Sequence, residues 1–243
     1  GEAEPRWREA GAGSKGVLGG GHPGTLKAVG NLAALLVEMA RMHPAGSDAS
    51  RARLEEAAPL FGEVQAGFTR GLGSTHASTL AYCSERARTL VELERCAEAE
   101  ELLHDSISAC RAGLGDGHPE TLVALAHLAG ALRAQDKHGE AQVLMEEVIK
   151  GWGAIEADEP VKRHTVTSTN ILAELLHAQG KHAEAEPLCR SVLADFVKAV
   201  GRKHPFSRSA AANLASVVKA MGGKDKAAEA EALRAEYRFD EAE

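Results

Sequence analysis

One phrase, returning at nearly fixed spacing, constrains this chain more than any other feature. It reads HPETLVALAHLAGAL from His118, HPGTLKAVGNLAALL from His22, HASTLAYCSERARTL from His76 and HPFSRSAAANLASVV from His204. A further relative, VKRHTVTSTNILAELL from Val161, has lost the His-Pro but keeps the rest. A second phrase follows: EAEELL at Glu98, EAQVLM at Glu140, EAEPLC at Glu184 and EAEALR at Glu229. From His76 to His118 is 42 residues, and Ala57, Ala99 and Ala141 are 42 apart each time. A fixed period of a few tens of residues marks a repeat array, which is one continuous body rather than a set of globular domains.

The spacing divides the chain into residues 1–20, the second helix of a truncated preceding repeat, and five repeats at 22–75, 76–117, 118–159, 160–201 and 202–243, the last with a C-terminal tail. Glu2-Ala3-Glu4-Pro5 repeats Glu184-Ala185-Glu186-Pro187, so the chain is expected to open inside an earlier repeat of a longer array. Its glycine-rich tail, Glu9–Gly16, is expected to fray. Extra residues sit at about 39–53 in the first repeat, near Glu156–Pro160, and in the Gly222–Lys226 turn. The first insertion reads as a mobile surface loop; the competing reading is that its Arg41, Arg51 and Arg53 grip an acidic partner. The acidic step Glu156–Pro160 would place negative residues at the next helix start, where the dipole favours them.

Each repeat reads as helix A, turn, helix B. Helix A opens at His-Pro, where proline's missing N–H costs nothing. A hydroxyl stands three residues after the histidine slot: Thr25, Thr79, Thr121, Thr165 and Ser207. Apolar residues fall four, seven, ten, eleven and fourteen positions after the histidine, as in Leu122, Leu125, Leu128, Ala129 and Leu132. That is the helical period and one buried stripe. The small residues Ala33, Ala87, Ala129, Ala173 and Ala215 in helix A should face Ala57, Ala99, Ala141, Ala185 and Ala230 in helix B, allowing close packing. Turns such as Gln135–Lys137 and Gln179–Lys181 end helix A, and Gly-Leu-Gly ends helix B with a left-handed glycine cap.

Composition excludes several classes. The formal charge of −7 is spread out without a basic run, so nucleic acid is not an expected partner. No stretch has the length of an apolar membrane span, and residues 1–30 lack a signal peptide's apolar centre. Of the four cysteines, Cys83, Cys110 and Cys189 occupy slots filled elsewhere by core residues, which suits buried thiols in a reducing, intracellular compartment, cytoplasmic by default.

These phrases resemble the tetratricopeptide repeat, in the 42-residue form of kinesin light chains. The matching text is His-Pro-x-Thr-Leu, Asn-Leu-Ala at Asn31–Ala33 and Asn213–Ala215, Gln-Gly-Lys at Gln179–Lys181, and Glu-Ala-Glu at Glu184–Glu186. Departures are Glu85-Arg86-Ala87 in the second repeat, the missing His-Pro in the fourth, and Arg208 in place of leucine in the fifth. The resemblance implies an all-α, right-handed superhelical solenoid of antiparallel helix pairs, with helix A lining a concave groove. It implies a non-catalytic protein-interaction scaffold.

On that fold, positions off the apolar stripe would point into the groove. In the first repeat these include Lys27, Gly30 and Asn31; in the second, Ser84, Glu85, Arg88 and Glu92. His127 follows in the third, Asn170 and Glu174 in the fourth, and Asn213 and Ser216 in the fifth. In relatives such asparagines hydrogen-bond an extended peptide's backbone. Here Asn31, Asn170 and Asn213 would do so, or would satisfy carbonyls within the solenoid. A protein or peptide partner in the groove is the first functional reading. The others are a structural subunit of a larger complex, held through its convex face, ends or insertion, and a regulatory part of a longer enzyme-containing chain.

Chemistry is not indicated. His22, His76, His118 and His204 lie a repeat apart and cannot converge on one metal ion. His177 and His182 flank a turn without the companions that zinc needs. Gly19–Gly24 carries no Lys-Ser/Thr, so it is not a phosphate loop, and no serine sits in a Gly-x-Ser-x-Gly context. Neither catalytic residues, a metal nor a cofactor is expected.

Overall fold

The computed structural model describes residues 3–44, 46–155 and 159–237. Its elements are helices: α1 (Ala3–Leu18), α2 (Pro23–Arg41), α3 (Asp48–Leu72), α4 (Ala77–Glu92), α5 (Cys96–Leu114), α6 (Pro119–Arg133), α7 (His138–Ala154), α8 (Glu159–Ala178), α9 (His182–Val200), α10 (Pro205–Ala220) and α11 (Lys224–Glu236). No strand occurs among the described residues. The chain forms two compact units, Gly1–Asp136 with α1 to α6 and Lys137–Glu243 with α7 to α11. Within the first, each helix packs on the next and α4 also lies beside α6; within the second, α8 lies beside α10 in the same way. This is the all-α class read from the repeats.

The histidine slot has a structural job. His22, His76, His118 and His204 are N-caps in extended backbone, and each Nδ1 accepts the N–H two residues on, at 3.1–3.2 Å. One orphan donor of the first turn is thereby satisfied. The hydroxyl slot braces the joint behind it. Thr79 donates to the Gly73 carbonyl (2.8 Å), Thr121 to Gly115 (2.7 Å) and Ser207 to Gly201 (2.7 Å). These hydroxyls are buried, so the bond offsets a desolvation cost that a bare oxygen would carry. Thr25 is equally buried, yet its Oγ1 has no hydrogen-bond partner.

The alanine seam is closed. All ten of its alanines are at most 1 % exposed. Larger residues complete the interior around them, Phe61, Leu103 and Met145 in helix B and Leu36, Leu122 and Leu214 in helix A. Cys83, Cys110 and Cys189 are buried at their expected core slots, while Cys96 is half-buried; all four thiols are free. Burial pushes up the thiols of Cys83 and Cys110, and that of Cys189 to about 11.

Three local expectations are corrected. The insertion at 39–53 is mostly helical: α2 runs to Arg41 and α3 starts at Asp48, capped by Ser47 Oγ. The extra residues lengthen both helices, and Arg41 is engaged internally, reaching Glu38 (2.9 Å) and Glu92 (2.8 Å). The closing glycines Gly73 and Gly115 have φ near +94° but ψ of 164°, an extended mirror-image conformation rather than a left-handed helical cap. The segment Glu9–Gly16 is helical, as part of α1. Of the acidic step, Glu156 to Asp158 lie outside the described residues. The genuinely left-handed position is in the A-to-B turn, at Glu94, Asp136, Gly180 and Gly222, with φ between +59° and +79°.

Candidate partner-binding surface

Helix A carries the predicted contact residues in two local groups, one in each unit. Lys27, Asn31, Arg88, Glu92 and Ser216 are exposed; Ser84, Glu85, His127, Asn170, Glu174 and Asn213 are half-buried. Gly30 departs from expectation. It is buried, and a Cβ built there would lie 2.5 Å from the Tyr82 ring, so the glycine is the floor on which Tyr82 rests rather than open groove. Tyr82 in turn stacks on Phe68, with centroids 5.6 Å apart and an interplanar angle of 6°.

In the first unit the charged candidates pair with each other. Arg88 donates to Glu85 one turn back on α4, and Glu92 receives Arg41 from α2. The second unit is different. Asn170 Nδ2 donates to Glu174 Oε1 at 2.8 Å along α8. Asn213 Nδ2, from α10, donates to the same Glu174 oxygen at 2.8 Å and to Asn170 Oδ1 at 3.2 Å. The asparagines thus bond to side chains of the same face, not to solenoid carbonyls. On the same two helices the short residues Ala178, Ser209, Ala212, Ser216 and Ala220 are exposed.

Sequence reasoning missed the turn glutamines as joints between repeats. Gln135 donates to Glu100 Oε2 (2.8 Å), and Gln179 to Gln142 Oε1 (3.0 Å) and the His138 carbonyl (3.4 Å). The recurring Gln in the turn was the available signal. The His177 and His182 rings meet, Nδ1 to Nδ1 at 3.1 Å, and burial followed by the neighbouring ring holds His177 below the usual imidazole range. Among the described residues no three His, Cys, Asp or Glu side chains converge as metal ligands, and no helix is long and apolar enough to cross a membrane. A hollow of about 420 Å³ opens between α10 and α11, lined by Arg208, Ser209, Ala212, Leu233, Arg234 and Tyr237. Arg234 stands where Phe61, Leu103, Met145 and Cys189 fill the core of other repeats.

Comparison with known proteins adds the family. No curated protein matches the chain significantly. Among solved structures, nearly identical TPR-like repeats described as kinesin light chain, from Podosopora anserina, superpose with a TM-score of 0.66 at 27 % identity, covering 89 % of this chain and 95 % of that one. A point variant of those repeats gives 0.64 at 28 %, covering 86 % and 95 %. BtubC (BKLC) from P. vanneervenii gives 0.69 at 15 %, covering 96 % and 89 %, a likeness of fold. The tetratricopeptide repeat family model matches residues 78–152 and 164–236, more than half the chain. The capped helix pairs, the alanine seam and these matches agree: the chain belongs to the tetratricopeptide repeat family.

Proposed function

We propose that the chain is a non-catalytic scaffold that captures a partner peptide or helix along the helix A face. Tetratricopeptide repeats are protein-interaction modules. The observation that carries the finer reading is the half-buried Asn170–Glu174–Asn213 constellation on adjacent A helices, which also carry exposed small residues. Polar groups held in place by one another, with open space beside them, suit recognition better than packing, because their orientation is settled before a ligand arrives. Within the first unit, Asn31 and Lys27 are exposed candidates on α2.

The test is capture of interacting proteins from the source organism by wild type and by the Asn31→Ala, Asn170→Ala, Asn213→Ala triple variant. Groove binding requires that the variant keep its helicity by circular dichroism and lose the captured protein. Retained capture would reject the groove and favour the second reading, a structural subunit held through other surfaces. That reading has its own support in apolar side chains on show at helix ends, Met42 at 83 % and Phe206 at 57 % exposed.

A further inference from the structure

The turn between α8 and α9 brings together two imidazoles that the repeat itself does not require. His177 Nδ1 lies 3.1 Å from His182 Nδ1, with ring centroids 4.9 Å apart and an interplanar angle of 52°. The same two slots hold Val91 and Cys96 in the second repeat and Arg133 and His138 in the third, so the turn forms without a histidine pair. Both backbones are fixed. Gly180 takes φ +76°, its N–H donates to the His177 carbonyl at 3.0 Å, and the Lys181 N–H donates to the Leu176 carbonyl at 2.9 Å. Gln179 and Lys181 tie the turn to α7, each donating to Gln142 Oε1 at 3.0 Å.

The distance between the rings has chemical meaning. A neutral imidazole carries one N–H and one lone pair, so two Nδ1 atoms in contact need a proton between them, or another cation in its place. Zinc binds histidine nitrogen at about 2.0–2.1 Å, so two nitrogens with this separation subtend an angle of about 100° at the ion. That lies between a right angle and the tetrahedral angle, and the chelating distance is in place with little movement of the backbone. When both rings keep their proton on Nε2, both Nδ1 lone pairs are available and no proton has to leave. Burial first, then the neighbouring ring, holds His177 below the usual imidazole range, which favours the neutral, ligating form at neutral pH.

We propose that His177 and His182 form a two-histidine chelate for a late first-row divalent ion, with water completing its coordination. Among the described residues no third His, Cys, Asp or Glu converges there, so the site is an open clamp across the turn rather than a closed cage. Imidazole nitrogen selects Zn2+, Ni2+ and Cu2+, with Cu2+ the tightest, over Mg2+ and Ca2+, which take oxygen ligands. The ion links the end of α8 to the start of α9, and binding to the folded turn alone raises thermal stability. None of this depends on the groove reading.

The probe is Zn2+, titrated calorimetrically into the untagged full chain in a reducing, non-chelating buffer, with Mg2+ as the comparison. A saturable zinc site is expected, with no response to Mg2+ and a higher melting temperature in zinc. Binding should weaken by about tenfold or more in His177→Gln and likewise in His182→Gln, with helicity retained by circular dichroism. Cys96→Ser, which removes the most accessible thiol, should leave the isotherm unchanged. Long-range 15N spectra of the wild type, which need no variant to fold, should show zinc moving the Nδ1 resonances of His177 and His182. Absence of saturable binding, an equal response to Mg2+, zinc binding that survives both histidine substitutions, its loss in Cys96→Ser, or zinc shifts confined to other histidines would each overturn the proposal.

Discussion

Thr25 and Thr121 occupy the same slot, are both fully buried, and differ in one bond. Thr121 donates to the Gly115 carbonyl, whereas the Thr25 hydroxyl has no such acceptor. Replacing each with valine removes the hydroxyl while keeping the shape. Thr121→Val should cost about 1–2 kcal/mol, because a satisfied carbonyl is stripped of its donor. Thr25→Val should be neutral or slightly stabilising, since an unpaired polar atom is removed from the interior. Urea denaturation of the two variants measures the difference directly. Backbone conformation offers a second residue-scale test. Glu94 sits at φ +61°, where the equivalent turn positions at 180 and 222 are glycine. An L-residue there carries roughly 1 kcal/mol of strain, so Glu94→Gly should stabilise by most of that amount in the same assay.

At the scale of elements, close approach and charge decide how helices meet. The Gly30–Tyr82 contact brings α2 against a side chain of α4 with no space for a methyl group, and the ring is held by Phe68. Alanine would gain about 1 kcal/mol of helix propensity but force the ring to move, at about 1–3 kcal/mol. Gly30→Ala should therefore destabilise in the native background and stabilise in Tyr82→Ala, a reversal that thermal melts of the four proteins would reveal. Between α9 and α11, Glu186 receives Lys226 (2.9 Å) and Arg190 (2.7 Å), and Arg190 also reaches Glu229. Hydrogen bonds from Lys226 and Arg190 hold the Glu186 carboxyl below its usual range, and those from Arg190 and then Lys226 do the same for Glu229. A carboxylate depressed in the folded state stabilises fully at neutral pH and loses that contribution as pH falls through its folded value. Glu186→Gln should lower the melting temperature at pH 7, and the gap to wild type should narrow as pH falls below the ordinary carboxylate range. High salt should narrow it too, since these groups lie near the surface.

For the molecule as a whole, the four thiols report on the two units separately. Cys83 and Cys110 lie in the first unit and Cys189 in the second, all at most 3 % exposed, while Cys96 is half-buried. Native protein should react with a thiol reagent first at Cys96, with the remaining three appearing only as their units open. Simultaneous fast labelling of all four would contradict the buried positions. The fold was legible to this depth because a repeat states its core slots several times over: the alanines of both helices, the cysteine positions and the histidine helix starts could each be checked against copies. Less was legible where two repeats meet or where one departs. Gly30 reads as open surface unless Tyr82 is known to lie over it. The 39–53 insertion has no copy to be compared with, so its helical continuation was hidden by Gly46 and Pro44. The Asn170–Glu174–Asn213 bonds join side chains on two A helices, a pairing that slot numbers suggest but do not orient.

The hydroxyl brace has a consequence for how such a chain can change length. In each braced joint the acceptor glycine and the donor hydroxyl are six residues apart: 73 to 79, 115 to 121, 201 to 207. That interval works as a ruler, so a codon added or lost inside it would strand a buried oxygen at both ends. The dozen additional residues of the first repeat and the three near 222 avoid it, and the two near 156 fall in the joint whose closing Gly-Leu-Gly and His-Pro have both been given up. Evolution can thus lengthen the limbs of this array freely, but the knuckles keep one gauge or are rebuilt outright.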